Sequence, residues 1–343
     1  GKSTMAMTMM KLAENLGLSV ATVSRVLNGC DKKRVRPELA ARIREEARKA
    51  GFQPDRAAGQ LRRRRSNLIG ILLPSLSIVN FYSELAGELH ELILKRGYFP
   101  VFAFWIQMEE AVKAYRNIVS WRIDGLITVQ PDIIEGKPEF PVVSYYNEDP
   151  RFDCLVTDSE QIFRELLEYL TSLGHRNIVW IGCNFDGRLP CLMRLCPEYS
   201  VKIKYMDCDN SIGLLSSSAG YCLTEKMLKE FSADLPTAIV ASSDDIAFGA
   251  IRCLADHGYR CPEDFSVIGS DDVKQAELYI PALTTIKHSD KTSLAELLTD
   301  QIFKKIEKPD LPRDRVVIKR SLAVRDSCAP PRSHELTSIP RRQ

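Results

Sequence analysis

Short apolar runs alternate with longer amphipathic stretches along most of the chain, from about residue 68 onward. The apolar runs have the length of strands, and the stretches between them show the three-to-four spacing of helices with one buried face. Such alternation favours parallel α/β units. Two series of strand-like runs are present: LIGILLP, YFPVFAF, IDGLITV and PVVSYY, then RNIVWIG, KIKYMDC, TAIVAS and FSVIGS. Because the pattern restarts, we predict two similar α/β lobes that bind a ligand in the cleft outside the carboxyl ends of their strands.

The N-terminal segment has a different periodicity, which predicts short helices. Leu12, Ala13 and Leu16 form the apolar face of a first helix. Thr8 can cap the start of this helix by accepting a backbone hydrogen bond. Gly17 can end it, because glycine readily takes the positive φ that closes a helix.

A second helix begins two residues after the first one ends. Ser19 can accept hydrogen bonds from its first turn, and Val23, Val26 and Leu27 repeat at the spacing of a buried stripe. A third helix over about 37–50 completes a small all-α core. So tight a bend is typical of a helix-turn-helix, whose second helix presents its N-terminal end to the major groove. We therefore predict DNA contacts from Thr8, Ser19, Val20, Ala21, Thr22, Ser24, Arg25 and Asn28.

The segment 54–66, PDRAAGQLRRRRS, connects the two patterns. Ala57, Ala58 and Leu61 share one helical face, but a helix this short is marginal in isolation. We expect it to order on DNA, with Leu61 wedged into a minor-groove base step and Arg62 on a nearby phosphate. A positively charged linker is the alternative interpretation of the same residues.

Basic and acidic residues are distributed unequally along the chain, and the balance changes near residue 65. The first 65 residues hold 16 Lys and Arg against 6 Asp and Glu, whereas the remainder holds 31 against 39. A small basic module joined to an acidic body fits nucleic-acid binding, because phosphate contacts supply much of the affinity. A solvated surface with chance asymmetry is the alternative.

Composition narrows the class of protein and its compartment. The apolar fraction of 45% is that of an ordinary globular protein. Neither a run of about 18 apolar residues nor an apolar leader segment is present, so we expect a cytoplasmic protein with no membrane partner. The ten cysteines lack the paired Cys-x-x-Cys spacing of most zinc sites. We therefore expect no metal and no cofactor.

Motifs over nearly the whole chain point to one family: LAENLGLSVATVSRVLNG, ARKAGFQPDRAAGQLRRRRSNLIGILLP, WRIDGLI, SLGHRNIVWIG, AIVASSDDIAFGAI, CPEDFSVIGSDD and IPALTTIKH. Together they resemble the LacI/GalR (lactose-repressor and galactose-repressor) family of bacterial transcription regulators. The resemblance implies a helix-turn-helix headpiece followed by a two-lobed, periplasmic-binding-protein-like effector domain. It also implies base-reading positions at Val20, Ala21 and Arg25, and a minor-groove wedge at Leu61 with Ala58 beside it.

The same resemblance implies how the chain is divided. The expected parts are a headpiece (8–53), a hinge segment (54–66), a two-lobed effector and dimerisation domain (67–327) and a disordered tail (328–343). Within the two-lobed domain we expect an N-lobe of about 67–157 and 285–310 and a C-lobe of about 158–284 and 311–327. The chain would then cross between lobes near Asp158 and again near Thr284.

Strand ends and family motifs together predict the lining of the cleft: Ser75, Phe81, Trp105, Tyr146, Arg188, Ser243 and Asp271. Two of these positions depart from the family pattern, since Ser243 replaces an asparagine and Tyr146 stands where an aspartate is common. Fixed polar groups reject molecules that leave them unpaired, so these changes predict an altered or lost ligand rather than the usual sugar. Trp105 and Tyr146 can equally be core aromatics, and Asp271 can be a helix cap.

One recognition helix contacts few base pairs, so useful specificity needs two copies related by symmetry. We predict a homodimeric repressor on a pseudo-palindromic operator, whose DNA affinity changes when a small polar, sugar-like effector favours one arrangement of the lobes. The sequence leaves an activator open. A two-lobed solute-binding protein without a DNA role is the alternative. We expect no enzymatic activity, because no nucleophile is spaced beside a base and an orienting group.

Overall fold

The computed structural model describes residues 7–27, 35–52, 65–75, 80–183, 187–207, 216–288 and 292–332. The chain forms two compact units, Gly1–Ser66 and Asn67–Gln343, and each is described by itself. Among the described residues, every helix is too short or too polar to cross a lipid bilayer.

The first unit contains the three short helices that the sequence predicts, α1 (Met9–Leu16), α2 (Val20–Leu27) and α3 (Pro37–Lys49). The Thr8 hydroxyl caps α1 by accepting a hydrogen bond from the Lys11 amide at 3.3 Å. Gly17 ends α1 with a φ of 62°, in the left-handed region that favours glycine. This turn lets α2 begin three residues further on.

The three helices pack around one small core. Its buried side chains come from all three helices: Leu12, Ala13, Val23, Val26, Ala40, Ile43 and Ala47. Helices of eight residues are marginal in isolation, so α1 and α2 depend on this shared core for their stability. Pro37 starts α3 with a suitable φ, and the preceding Arg36 provides no side-chain cap.

The second unit is built on two sheets of six strands each, as far as its described residues extend. The strands are β1 (Leu68–Pro74), β2 (Phe99–Trp105), β3 (Gly125–Thr128), β4 (Val142–Tyr145), β5 (Asp153–Thr157), β6 (Asn177–Gly182), β7 (Lys202–Asp207), β8 (Ala238–Ala241), β9 (Ser266–Ser270), β10 (Thr284–His288), β11 (Arg315–Ile318) and β12 (Arg320–Ala323). The N-lobe sheet has the order β2-β1-β3-β4-β5-β11 and the C-lobe sheet the order β7-β6-β8-β9-β10-β12. The matching orders confirm that one α/β pattern occurs twice.

The strands run parallel in the N-lobe sheet, and the C-lobe sheet differs only where β12 pairs antiparallel with β10. The strand order reverses between β1 and β3 in one lobe and between β6 and β8 in the other. Ligand crevices in such sheets form outside the carboxyl ends of the strands at these switch points.

Helices cover both faces of each sheet. They are α4 (Asn80–Lys95), α5 (Met108–Val119), α6 (Ser159–Leu173), α7 (Arg188–Leu195), α8 (Ser217–Glu230), α9 (Asp244–Asp256), α10 (Lys274–Leu278) and α11 (Leu294–Glu307). Alternate residues of a strand point to opposite faces. Accordingly, Val179 and Ile181 pack in the cluster of α8 and α9, whereas Ile178 and Trp180 pack in the cluster of α6 and α7.

The predicted lobe boundaries near the C-terminus are wrong at two places. The predicted second crossing near Thr284 comes too early, because β10 pairs with β9 and β12 in the C-lobe sheet. The predicted return at 311 also comes too early, because β11 pairs with β5 in the N-lobe sheet. The single residue between β11 and β12 carries the chain back to the C-lobe. Backbone pairing decides the sheet for these short strands, and their apolar pattern does not reveal it.

The prediction of a disordered tail from 328 onward is wrong for its first five residues. The Ala329 carbonyl lies 3.0 Å from His175 Nε2, and Ala329 N donates to Ser266 Oγ at 3.0 Å. Arg332 forms an ion pair with Asp264 at 2.7 Å. These bonds fasten the end of the chain to the C-lobe sheet, and the remaining residues, 333–343, lie outside the described ranges.

Candidate DNA-reading helix and interlobe cleft

The N-terminal end of α2 is the part of the first unit that the sequence predicts to contact bases. Ser19 Oγ accepts a hydrogen bond from the Thr22 amide at 3.2 Å and lies 2.8 Å from the Thr22 hydroxyl. Val20 is 44% exposed, and Ala21 beside it is also exposed. So exposed a valine contributes little to the core, and its methyl groups can contact a base edge such as the thymine methyl.

The remaining predicted contacts follow the same helix. Ser24 and Arg25 are half-buried, and Thr8 is exposed at the start of α1. The first turns of α1 and α2 contain no acidic residue, so the positive ends of both helix dipoles favour a nearby phosphate. Four predicted contacts lie outside the described residues: Asn28, Ala58, Leu61 and Arg62.

In the second unit, the predicted cleft residues lie at strand ends and helix starts. Ser75, Tyr146, Ser243 and Asp271 follow strands, Trp105 ends β2, Arg188 begins α7, and Phe81 lies in the first turn of α4. Because the carboxyl ends of parallel strands meet at one edge of a sheet, each lobe contributes one such edge to the cleft.

Direct contacts join the two lobes at this edge. The Asp245 carboxylate of the C-lobe accepts hydrogen bonds from the Asn80 amide at 2.9 Å and from the Asn80 side chain at 2.6 Å. The Lys274 amide donates to Glu84 across the same gap at 3.2 Å. Phe81 packs against the cores of both lobes. The lobes are therefore in contact on this side of the cleft.

Two buried arginines meet at Ser270, the last residue of β9. Arg188 Nη1 donates to Ser270 Oγ at 3.2 Å, and Arg320 Nη1 approaches the same oxygen at 3.4 Å. The two arginines are 8% and 3% exposed. The Arg188 guanidinium also lies 5.6 Å from the centre of the Trp180 ring, a cation–π contact. Two positive charges therefore lie close together at the C-lobe edge.

Arg320 also bonds to the N-lobe. Its Nη2 donates to the Tyr145 hydroxyl at 3.2 Å and to the Tyr146 hydroxyl. The Tyr145 hydroxyl in turn lies 3.1 Å from His288 Nε2. Burial and then the Arg320 charge lower the pKa of His288 to about 3, so the imidazole is neutral at pH 7. Tyr146 has a φ of 68°, an uncommon conformation that directs its ring onto this cluster.

Asp271 follows Ser270 with a φ of 123°. Its half-buried carboxylate forms no hydrogen bond or ion pair with any described residue. The alternative role as a helix cap is wrong, because Val273 precedes α10 and no side chain caps that helix. Burial and then the nearby Asp244 charge raise the pKa of Asp271 well above its usual value, although Arg320 and Arg188 oppose the shift.

Other predicted cleft residues have structural roles. Ser243 caps α9 by accepting a hydrogen bond from the Ile246 amide at 3.2 Å. Trp105 is 2% exposed and lies in the N-lobe core, which agrees with its alternative role as a core aromatic. Its Nε1 has no acceptor among the described residues. The Trp105 carbonyl accepts from the Ser75 amide at 2.8 Å.

Sequence reasoning missed Tyr145, Ser270, His288 and Arg320. Arg320 and its partners Ser270 and Tyr145 are 50 and 175 positions apart, so no local spacing reveals them. The sequence offers one signal for Arg320, which is its position as a charged residue inside the strand-like run RVVIKRSLAV.

Comparisons with known proteins support this architecture. A family model described as a periplasmic binding protein-like domain matches residues 167–328. The chain is 28% identical to the lactose operon repressor of Escherichia coli K12, over 95% of this chain and 94% of that protein. It is 25% identical to catabolite control protein A of Staphylococcus epidermidis, over 82% of this chain and 87% of that protein.

Solved structures give the same fold. A lac repressor dimer bound to operator and the anti-inducer ONPF has a TM-score of 0.78 and 24% identity, covering 94% of this chain and 99% of that chain. A complex of the transcriptional regulator CelR with cellobiose has a TM-score of 0.63 and 21% identity, with coverage of 94% and 99%. Both likenesses extend over the headpiece and the two lobes.

Proposed function

We propose that the chain is a member of the LacI/GalR family of bacterial transcription regulators and that it is a sequence-specific DNA-binding repressor. It binds a pseudo-palindromic operator as a homodimer, and a small polar, sugar-like effector between the lobes changes its affinity for DNA. The observation that carries this proposal is the joining of a helix-turn-helix to two α/β lobes in one chain. Over 95% of its length, this chain is 28% identical to the lactose operon repressor.

The proposed DNA contacts lie on and around α2. Val20, Ala21 and Arg25 contact bases in the major groove, and the polar residues around them position the helix on phosphates: Thr8, Ser19, Thr22, Ser24 and Asn28. The exposure of Val20 and Ala21 and the absence of acidic residues from the first turns of α1 and α2 support this assignment. The excess of Lys and Arg over the first 65 residues adds a general attraction to DNA.

A second copy of the chain is the proposed partner of an apolar surface on the C-lobe. Leu278 and Ile280 are 81% and 90% exposed, and Tyr279 between them stacks on Phe248 at 4.3 Å. Adjacent side chains as apolar and exposed as these are typical of a contact surface. A symmetric dimer would place two headpieces on two operator half-sites.

The proposed effector binds between the lobes, against Tyr146, Arg188 and Asp271, with Ser75 and Phe81 around it. Trp105 and Ser243 support the strand and helix ends beside this site. An effector that binds one arrangement of the lobes more tightly shifts the population toward that arrangement. The bond between Asn80 and Asp245 is one contact that such a change would make or break. DNA and effector then alter each other's affinity reciprocally.

We further propose that the protein acts in the cytoplasm and has no catalytic role. The lactose operon repressor is a repressor by name, and the described helices include no membrane span. The alternative, a two-lobed solute-binding protein, leaves the helix-turn-helix and its positive charge without a role.

The test uses the proposed minor-groove wedge, Leu61, and an operator selected from random DNA with the full chain. Leu61→Ala should weaken binding to that operator by about 3 kcal/mol, because the energy gained from the kinked DNA is lost. Binding to random DNA, which depends on phosphate contacts, should change little. Fluorescence anisotropy with both DNAs measures the two effects. Equal losses on both DNAs would contradict the wedge role.

A further inference from the structure

The Arg320 guanidinium is buried without an ion pair among the described residues. Its hydrogen-bond partners there are all hydroxyl groups, those of Ser270, Tyr145 and Tyr146. Its Nε has no acceptor in the same part of the chain, although the residue is only 3% exposed. A buried charge costs free energy unless an opposite charge compensates it. Arg320 thus points to a missing anionic partner.

The groups around Arg320 do not supply that negative charge. Burial raises the pKa of Tyr145 well above its usual value, so this hydroxyl stays neutral. His288, bonded to the same hydroxyl, is neutral at pH 7 for the reason given above. The Asp271 carboxyl group influences Arg320 electrostatically but forms no ion pair with it. Arg320 therefore carries a positive charge that no ion pair among the described residues compensates.

Arg188 strengthens the case, because it brings a second guanidinium to the same oxygen. The Nη1 atoms of Arg188 and Arg320 both lie within hydrogen-bond range of Ser270 Oγ. An anion bound to Arg320 at this point would also lie near the Arg188 guanidinium, whose positive charge would attract it. The planar fork of a guanidinium matches a carboxylate or a phosphate.

Asp271 supplies a complementary group at the same place. Its half-buried carboxylate lies beside Ser270 in sequence and has no described partner. It can accept hydrogen bonds from the hydroxyl groups of a ligand. The cleft therefore combines two cationic groups with one acceptor of hydroxyl donors.

We propose that the effector is an acidic polyol, whose carboxylate or phosphate binds Arg320 and Arg188 while its hydroxyl groups donate to Asp271. This inference rests on the proposed function, in which the cleft binds a small polar effector, and it names the chemical class of that effector. A role of Arg320 only as a structural tie between the lobes is the competing explanation.

The experiment measures the melting temperature of the full chain with matched probes. The pairs are glucuronate against glucose, gluconate against sorbitol, glucose 6-phosphate against glucose, and inorganic phosphate against chloride at equal ionic strength. We expect saturable stabilisation by inorganic phosphate or by at least one acid, with an affinity at least about tenfold above that of its neutral counterpart. Carboxylate and phosphate probes separate the two sources of the anion.

Variants then assign the effect to Arg320. Arg320→Gln should lower the affinity for the stabilising anion at least about tenfold, because the ionic hydrogen bonds are lost. Arg320→Lys, which keeps the charge but loses the fork, should lower it less. Arg332→Gln is the matched control, since it removes a C-lobe ion pair with Asp264 that includes none of the proposed contact residues and should leave the affinity unchanged.

Each remaining outcome overturns the proposal. If neither phosphate nor any acid stabilises the chain more than its neutral counterpart, the arginine pair holds no anion. If Arg320→Gln lowers the melting temperature of the ligand-free chain but leaves the response to the anion intact, Arg320 is a structural tie only. Either result leaves operator binding untouched, so a failure of this inference is distinct from a failure of the proposed repressor function.

Discussion

Asp244 connects the folding of the C-lobe to the geometry of the cleft. Its buried carboxylate accepts hydrogen bonds from the Val273 amide at 2.9 Å and from the Thr285 hydroxyl. It lies so close to Gly269 that a Cβ on that glycine would stand 2.1 Å from Asp244 Oδ1. One side chain thereby fixes both sides of the turn that carries Asp271.

Burial, with added repulsion from Asp272 and Asp245, raises the pKa of Asp244 to about 7 against the bonds from Thr285 and Val273. An unfolded aspartate has a pKa of about 3.9. The folded chain therefore binds more protons than the unfolded chain between these values. The stability that this group contributes is complete below pH 4 and is lost as the pH rises toward 7.

We accordingly expect that Asp244→Asn loses less stability than the wild-type chain when the pH rises from 4 to 7. At pH 5 the variant should be less stable by about 1 kcal/mol, because an amide oxygen replaces a carboxyl group that bonds two donors. Urea unfolding at several pH values measures both effects. Asp256→Asn, which changes an exposed carboxylate in the same helix, should keep the wild-type pH dependence. An unaltered pH profile for Asp244→Asn would refute the assignment.

At the scale of elements, local signals explain what the sequence predicts well. Caps, glycines and apolar spacing act within a few residues, so the three headpiece helices follow directly from them. Strands β11 and β12 are different, because each has four residues and only one residue separates them. Their sheets are decided by pairing with distant strands, which no local pattern encodes. The Arg320 cluster was missed for the same reason.

The contact of α8 with α9 depends on two glycines. A Cβ on Gly249 would lie 1.9 Å from the Ser217 carbonyl oxygen, and one on Gly220 would lie 2.2 Å from that of Ile246. Both obstacles are backbone atoms, which cannot rotate away. The close approach brings α9, with Asp244 and Asp245 in its first turn, against its neighbour at a fixed distance.

We expect Gly249→Ala to destabilise the chain by about 3 kcal/mol, because the two helices must separate. Gly87→Ala in α4 is the matched control, since a Cβ there meets no atom within 4 Å. That control should raise stability by about 0.5–1 kcal/mol through better helix propensity. Chemical denaturation of both variants tests the pair, and a neutral effect of Gly249→Ala would contradict the tight helix contact.

For the molecule as a whole, the sequence predicts the repeated lobes and the basic headpiece, because periodicity and charge are properties of long stretches. It does not predict which side chains converge in the cleft, since the fold alone brings together Tyr145, Ser270 and Arg320. The proposed function adds a relation between the parts, in which one unit contacts DNA and the other pairs with its copy and binds an effector. A single headpiece contacts few base pairs, and a symmetric dimer would double the number of base contacts.

The central claim, that two copies read a symmetric DNA site, is tested most directly by selecting bound fragments from random duplex DNA with the full chain and sequencing them. The account predicts a single pseudo-palindromic motif whose two half-sites have a fixed spacing, with binding that weakens steeply as salt rises. Ile280→Asp, which places a charge on the proposed dimer surface, should remove the paired motif while leaving weak binding to random DNA. A selection that yields no motif at low ionic strength, or a half-site without symmetry from the wild-type chain, would contradict the account.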